Sequence, residues 1–274
     1  MFQALIIIFC LSHFGNLVLA AESQGVSKYA IDAKLEGPDS PYTSFIVNQI
    51  RNWSPKDFNT ISAGKNPVQL TAIETSGNPD YVGIKQVMSI DAPLERVEAV
   101  LDDVNHYKDI FPGYDDIHLI SQDGNKSLVF WEQHIPLFFI PNVTYVVTYL
   151  TDKSSAVRKI YRYKLKESKK LNMNDGMIVI EQDPTAKIPA LRTRYLEYDF
   201  FDANWGIVKT IAPGRIWKDS LEGVYLSDVA IKLQSEHPDW KAKQVVAESQ
   251  KALDANPVDS IIKRKISFQL DPNK

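Results

Sequence analysis

The stretch Trp217–His237, WKDSLEGVYLSDVAIKLQSEH, decides the fold. Its spacing predicts one long helix. Asp219 stands as the N-cap, with Glu222 three residues on, placed to answer back to the cap amide. Pro238 closes the other end, because the residue before a proline avoids the helical region. At helical spacing Leu221, Val224, Tyr225, Leu226, Val229, Ala230, Ile231 and Leu233 cover well over half of the circumference. Only a narrow strip of Ser220, Gly223, Ser227 and Gln234 is cleanly polar. A surface helix needs an apolar stripe roughly 100° wide, so this one is expected to be enclosed on several sides. Asp228 and Lys232 interrupt the apolar arc one turn apart. They either pair with each other or face a partly polar cavity.

Upstream of this helix the period changes from helix to strand. Ile117–Ser121, Ser127–Ile135, Thr144–Leu150, Val157–Lys166, Gly176–Gln182 and Thr193–Phe201 are rich in β-branched and aromatic residues. Asp123-Gly124-Asn125 and Asn174-Asp175-Gly176 read as turns between them. Strands spaced this closely imply an antiparallel meander. Tyr161, Tyr163 and Leu165 alternate with Arg162 and Lys164, and Leu196, Tyr198 and Phe200 alternate with Glu197 and Asp199. The alternation predicts one wet face and one buried face, with the apolar set inside. Before the meander, Tyr81–Ile90 reads as a strand. Pro93 opens a helix carrying Val97, Val100, Leu101 and Val104, and a short segment follows that ends at Pro112-Gly113. Beyond the long helix, Asp239–Leu253 reads as a second, more polar helix. Residues 256–274 read as a tail, with Lys263-Arg264-Lys265 as a solvated face.

The chain has 274 residues and a formal net charge of −3, which gives no electrostatic case for nucleic acid or an anionic membrane surface. Residues 1–20 hold no Asp, Glu, Lys or Arg, and Ala4–Leu11 is an apolar run ahead of Val18-Leu19-Ala20. This reads as a signal peptide cleaved after Ala20, and hence as an exported, periplasmic protein. Ser12, His13, Gly15 and Asn16 interrupt it, whereas a spanning helix wants about 20 apolar residues. The single cysteine, Cys10, lies inside that segment. The mature chain then has no thiol for a disulfide, a metal or a nucleophile. Residues 21–80 read as an N-terminal extension packing on the main domain, with a short helix from Tyr42 to Trp53 and a strand from Val68 to Thr75.

Ser89-Ile90-Asp91-Ala92-Pro93-Leu94-Glu95-Arg96-Val97, continuing through Val100-Leu101-Asp102-Asp103 to Tyr107 and Phe111-Pro112-Gly113, resembles the opening strand and first helices of the START-like (SRPBCC) superfamily. That superfamily includes START lipid-transfer domains, polyketide cyclase-like proteins and coenzyme Q-binding proteins. Ile135–Pro141, entering Thr144–Leu150, is similar to its mid-sheet crossover. The resemblance spans residues 81–255 and implies an α+β helix-grip fold, a curved antiparallel sheet wrapped around a long C-terminal helix. It also implies a cavity between sheet and helix that takes a hydrophobic small molecule such as a lipid, sterol or quinone. Such cavities are concave and mainly apolar, with a few placed polar groups.

On this reading the cavity candidates are Tyr161, Tyr163, Arg194, Leu196, Tyr198, Tyr225, Asp228 and Val229. Arg194 ranks ahead of Arg158 and Arg192 as a partner for a ligand carboxylate or phosphate. Glu132 and His134 share a strand face, but no third ligand lies at metal-binding spacing, so they read as an exposed polar face. Phe138-Phe139-Ile140, between prolines, reads as an entrance loop with transient membrane contact or as a buried crossover. No nucleophile elbow or phosphate loop occurs, and no catalytic residue, metal site or cofactor is assigned. The leading expectation is a carrier of a hydrophobic ligand. The alternatives are a cyclase- or hydratase-type enzyme with a cavity acid–base group, and a collapsed domain that binds protein partners. Convergence of ionisable residues at one point of the cavity separates enzyme from carrier.

Overall fold

Two strands, β1 (Val68–Ser76) and β2 (Val82–Ile90), precede helix α1 (Leu94–Asp102), a 3-10 turn at Val104–His106 and the short helix α2 (Tyr107–Ile110). The meander follows as β3 (Tyr114–Asp123), β4 (Lys126–Gln133), β5 (Val143–Asp152), β6 (Arg158–Ser168), β7 (Leu171–Gln182) and β8 (Thr193–Ala203). Helices α3 (Pro213–Glu236) and α4 (Ala242–Ala255) and strand β9 (Ile262–Gln269) complete the order. The structure, a computed structural model, describes residues 35, 37, 42–43, 45–46, 67–76, 82–134, 142–203, 213–258 and 262–269. Residues 1–20 and the Phe138-Phe139-Ile140 loop lie outside the described residues.

The strands form one sheet in the order β3-β4-β5-β6-β7-β8-β2-β1-β9. β1 to β8 pair antiparallel, and β9 runs parallel to β1. The sheet is curved, and its concave face packs on the helices in the main core, which includes Leu221, Tyr225, Val229 and Ala230 of α3. α1 contributes Leu94, Val97 and Leu101, which its helical spacing stacks on one face. Val245, Ser249 and Leu253 do the same for α4. No described helix is long and apolar enough to cross a membrane.

Several expectations change in the structure. α3 starts at Pro213, before Asp219, so Asp219 lies inside the helix and is not its cap. Proline fits the first helical turn, where its missing N–H costs nothing. α4 starts at Ala242, after a turn in which the Lys241 N–H donates to Gln244 Oε1 at 3.0 Å. Asn174-Asp175-Gly176 is strand interior, not a turn. The β6–β7 reversal falls at Lys169-Lys170, where Ser168 Oγ accepts from the N–H groups of Lys170 and Leu171 at 3.1 and 3.0 Å. The sheet also reaches beyond residues 81–255, since β1 and the tail strand β9 belong to it.

The largest change concerns the convex face, which is covered rather than wet. Tyr42 and Ile46 pack there with Val87, Val179, Leu196, Tyr198 and Phe200. The Tyr42 and Phe200 rings stack at 4.6 Å. Arg162 and Lys164, expected in solvent, are 6% and 4% exposed. Burial lowers the Arg162 pKa, and the neighbouring Asp175 carboxylate opposes that shift.

Candidate functional site

A cavity of about 240 Å³ lies between the concave face and α3. Part of its wall is aromatic: Trp131 on β4 lies parallel to Tyr145 on β5 at 6.1 Å, and Tyr149 meets Tyr163 at 5.5 Å. Strand alternation sets which residues reach it. On β8 Tyr195, Glu197 and Asp199 line the cavity, while Arg194, Leu196, Tyr198 and Phe200 take the convex face.

The polar end is built from three carboxyl groups, two on β8 and Asp228 on α3. Tyr163 donates its hydroxyl to Glu197 Oε1 at 2.8 Å, and Tyr195 donates to Oε2 at 2.5 Å. Glu197 and Asp228 also share a hydrogen bond. Burial pushes Glu197 up to about 7, against the lowering effect of its hydroxyl donors. Burial, then the Glu197 charge, pushes Asp199 up to about 8. The same two causes hold Asp228 well above the usual carboxylate range. Burial also raises the Tyr163 and Tyr195 hydroxyls, which keeps both as donors.

Gly176 makes this arrangement fit. Its backbone lies under the Tyr163 ring, and a Cβ there would stand 2.2 Å from Tyr163 Cζ. The side chain crosses β7 through that gap to reach Glu197, which lies two residues along β8 from Asp199, the partner of Gly176. Gln86 on β2, paired with Glu197, is fully buried with neither amide atom hydrogen-bonded. Asn174 Oδ1, Asp199 Oδ1, Asp228 Oδ2 and Trp131 Nε1 are likewise buried without a partner.

Of the residues singled out from sequence, Tyr161, Tyr163 and Asp228 line the cavity. Arg194, Leu196 and Tyr198 do not, because the convex layer makes the apolar side of β8 the outer one. Arg194 is held there by Asp183 Oδ1 at 2.7 Å and by Thr185 Oγ1 at 2.8 Å. Tyr225 and Val229 sit in the core between α3 and its neighbours, and the Tyr225 hydroxyl points to the Ala252 carbonyl at 3.5 Å. Asp228 does not pair with Lys232, which instead donates to the Ser89 carbonyl at 2.6 Å and to Glu236 at 2.5 Å. Arg192 pairs with Asp91 at 2.9 Å. His134 meets Asp115 on an exposed face, and Asn142 joins Asp115 to Glu132. No group of three or more His, Cys, Asp or Glu suited to a metal occurs among the described residues. The sequence reading missed Glu197, Asp199 and Gln86; the i, i+2 carboxyl pair on one strand face was the available signal for the first two.

The architecture, a curved antiparallel sheet packed against a long C-terminal helix, has the form of a helix grip. Similar solved structures include human STARD10, 14% identical over 87% of this chain and 94% of that one, with a TM-score of 0.47. A STAR-related lipid transfer protein from Xanthomonas axonopodis is 12% identical over 69% and 97%, with a TM-score of 0.43. The Zhui aromatase/cyclase from a Streptomyces species is 16% identical over 63% and 96%, with a TM-score of 0.42. No sequence model of a known family and no curated protein sequence matches the chain.

Proposed function

We propose that this protein binds and carries a small hydrophobic molecule in the cavity between the sheet and α3. The observation behind this reading is the aromatic-lined space of about 240 Å³ between the sheet and α3. An apolar cavity of about 150 Å³ takes up benzene, and drug-sized pockets start near 300 Å³. The size therefore favours one ring with a short arm, at the small end of the hydrophobic ligands the fold suggests. A second reading, an acid–base enzyme, is favoured by the convergence of Glu197, Asp199 and Asp228. Glu197 and Asp199, at about 7 and 8, are matched to proton transfer near neutral pH.

One experiment tests both. The protein is titrated with one-ring probes (indole, 2-phenylethanol and phenylacetone) while its melting temperature is followed. A probe at a hundredfold excess over its Kd stabilises the native state by about 2.7 kcal/mol. Ser227 lines the cavity from α3, so Ser227→Trp should fill the space and abolish the shift while the protein still folds. Failure of every probe to stabilise the wild type would overturn the binding reading. Phenylacetone is also followed by NMR in deuterated buffer. Unchanged ketone supports a carrier; α-deuteration above the buffer rate, lost in Glu197→Gln, would establish the enzyme reading instead.

A further inference from the structure

The unpartnered atoms at the polar end differ in kind. Four are acceptor oxygens: Gln86 Oε1, Asn174 Oδ1, Asp199 Oδ1 and Asp228 Oδ2. One is a donor, Gln86 Nε2, and a second unpartnered donor, Trp131 Nε1, stands on the aromatic wall. Gln86 and Asp228, which line the cavity, are 0% and 2% exposed. A buried polar group left without a partner is costly. The excess of acceptors fits a ligand that donates.

Charge points the same way. Glu197, Asp199 and Asp228 meet with no basic side chain among them. Among the described residues the one basic side chain lining the cavity is Lys153, and it is occupied by Glu98 at 3.2 Å and by Asp102. Burial keeps these acids partly protonated; a carboxylate or phosphate ligand would push them further that way, whereas a cation would pair with whichever of them ionises. The ring faces of Trp131 and Tyr145 add an apolar surface for the body of such a ligand.

We propose that the cavity takes an organic cation, a protonated amine on a one-ring apolar body, with its ammonium group seated among Glu197, Asp199, Asp228 and the Gln86 side-chain oxygen. This rests on the binding reading above and names the ligand class. The ammonium offers up to three donors to the open oxygens, and the ring fills the aromatic part of the wall.

The test is a charge series on one ring, titrated calorimetrically into the full chain at pH 7: 2-phenylethylamine, 2-phenylethanol and 3-phenylpropanoate. The amine should bind at least tenfold more tightly than the alcohol, and the carboxylate should bind more weakly than both. Asp228→Asn combined with Glu197→Gln should bring the amine-to-alcohol ratio close to one. Asp199→Asn alone, which keeps the Tyr163–Glu197–Tyr195 bonds, should lower the same ratio if the double variant does not fold. Alcohol or carboxylate binding as tightly as the amine would overturn the cation assignment and leave the cavity reading standing. No binding by any of the three would overturn both. An amine preference untouched in every folded variant would place the amine elsewhere and overturn the site.

Discussion

An added Cβ at Gly176 would stand 2.2 Å from two atoms of the Tyr163 side chain and 2.5 Å from the Tyr198 carbonyl oxygen. A side chain alone could swing away, but the carbonyl belongs to the paired strand and has no such freedom. Gly176→Ala should therefore cost about 3 kcal/mol, the upper part of the usual range for overpacking. It should also push the Tyr163 ring off Glu197. Thermal melting reads the first effect. Loss of a donor from the carboxylate should raise the Glu197 pKa further, which carboxyl NMR reads directly. An alanine variant with wild-type stability would show that Tyr163 does not need the gap. The residue was hard to read in sequence for a definite reason. Asn-Asp-Gly is the composition of a tight turn, and a strand glycine marking close approach of another group shows the same letters. The true reversal two residues after β6 uses the Ser168 hydroxyl and two lysines, with no glycine or proline to mark it.

Among the elements, α3 was the most legible, because its apolar arc is too wide for a surface helix and forces a partner on several sides. The strands of the meander were legible from β-branched composition and spacing. Their facing was not. Alternation separates two faces but does not say which one lines a cavity, and on β8 both are buried. The convex side of Leu196, Tyr198 and Phe200 lies under Tyr42 and Ile46, more than a hundred residues earlier, so the apolar-inside rule chose the wrong side. The role of Lys232 was misread for a similar reason: its partners are distant in sequence. Lys232 and Glu236 clamp the end of α3 to β2 through the Ser89 carbonyl, and the Asp91 N–H donates to Glu236 at 2.7 Å. Lys232→Met removes a charge-assisted contact and leaves a carboxylate, 15% exposed, with less compensation. A loss of about 1–3 kcal/mol is expected, with probe affinity in the cavity unchanged, since neither Lys232 nor Glu236 lines it. Calorimetry on the variant checks both halves. A loss of affinity without a loss of stability would place the lysine in the site after all.

At the scale of the whole molecule, burying these acids ties stability to pH. Glu197 and Asp199 sit at about 7 and about 8 in the folded protein, and Glu181, buried on the convex side, at about 7. In the unfolded chain such groups titrate near 4. Between those values the folded state holds protons that the unfolded state has released, so stability must fall as pH rises. The groups facing the cavity pair act in the same direction or stay neutral. Asp228 on α3 is also raised, and the hydroxyls of Tyr163 on β6, Tyr149 on β5 and Tyr107 on α2 are raised by burial and by the nearby acids. Asp183 opposes the trend, but its lowered pKa places its effect below pH 4, outside the window. Each raised acid contributes a slope of about 1.4 kcal/mol per pH unit between its unfolded and folded values. The melting temperature should therefore be highest near pH 4 and fall as the pH rises toward 8. Glu197→Gln removes one ionisable member and should flatten the slope between pH 5 and 7. Saturation with 2-phenylethylamine should flatten it too, because the ammonium stabilises the ionised carboxylates and lowers their folded pKa values toward 4. A melting temperature that rises steadily from pH 5 to 8 would mean that these acids are ionised and compensated in the ligand-free protein, and would remove the reason for a cation to enter.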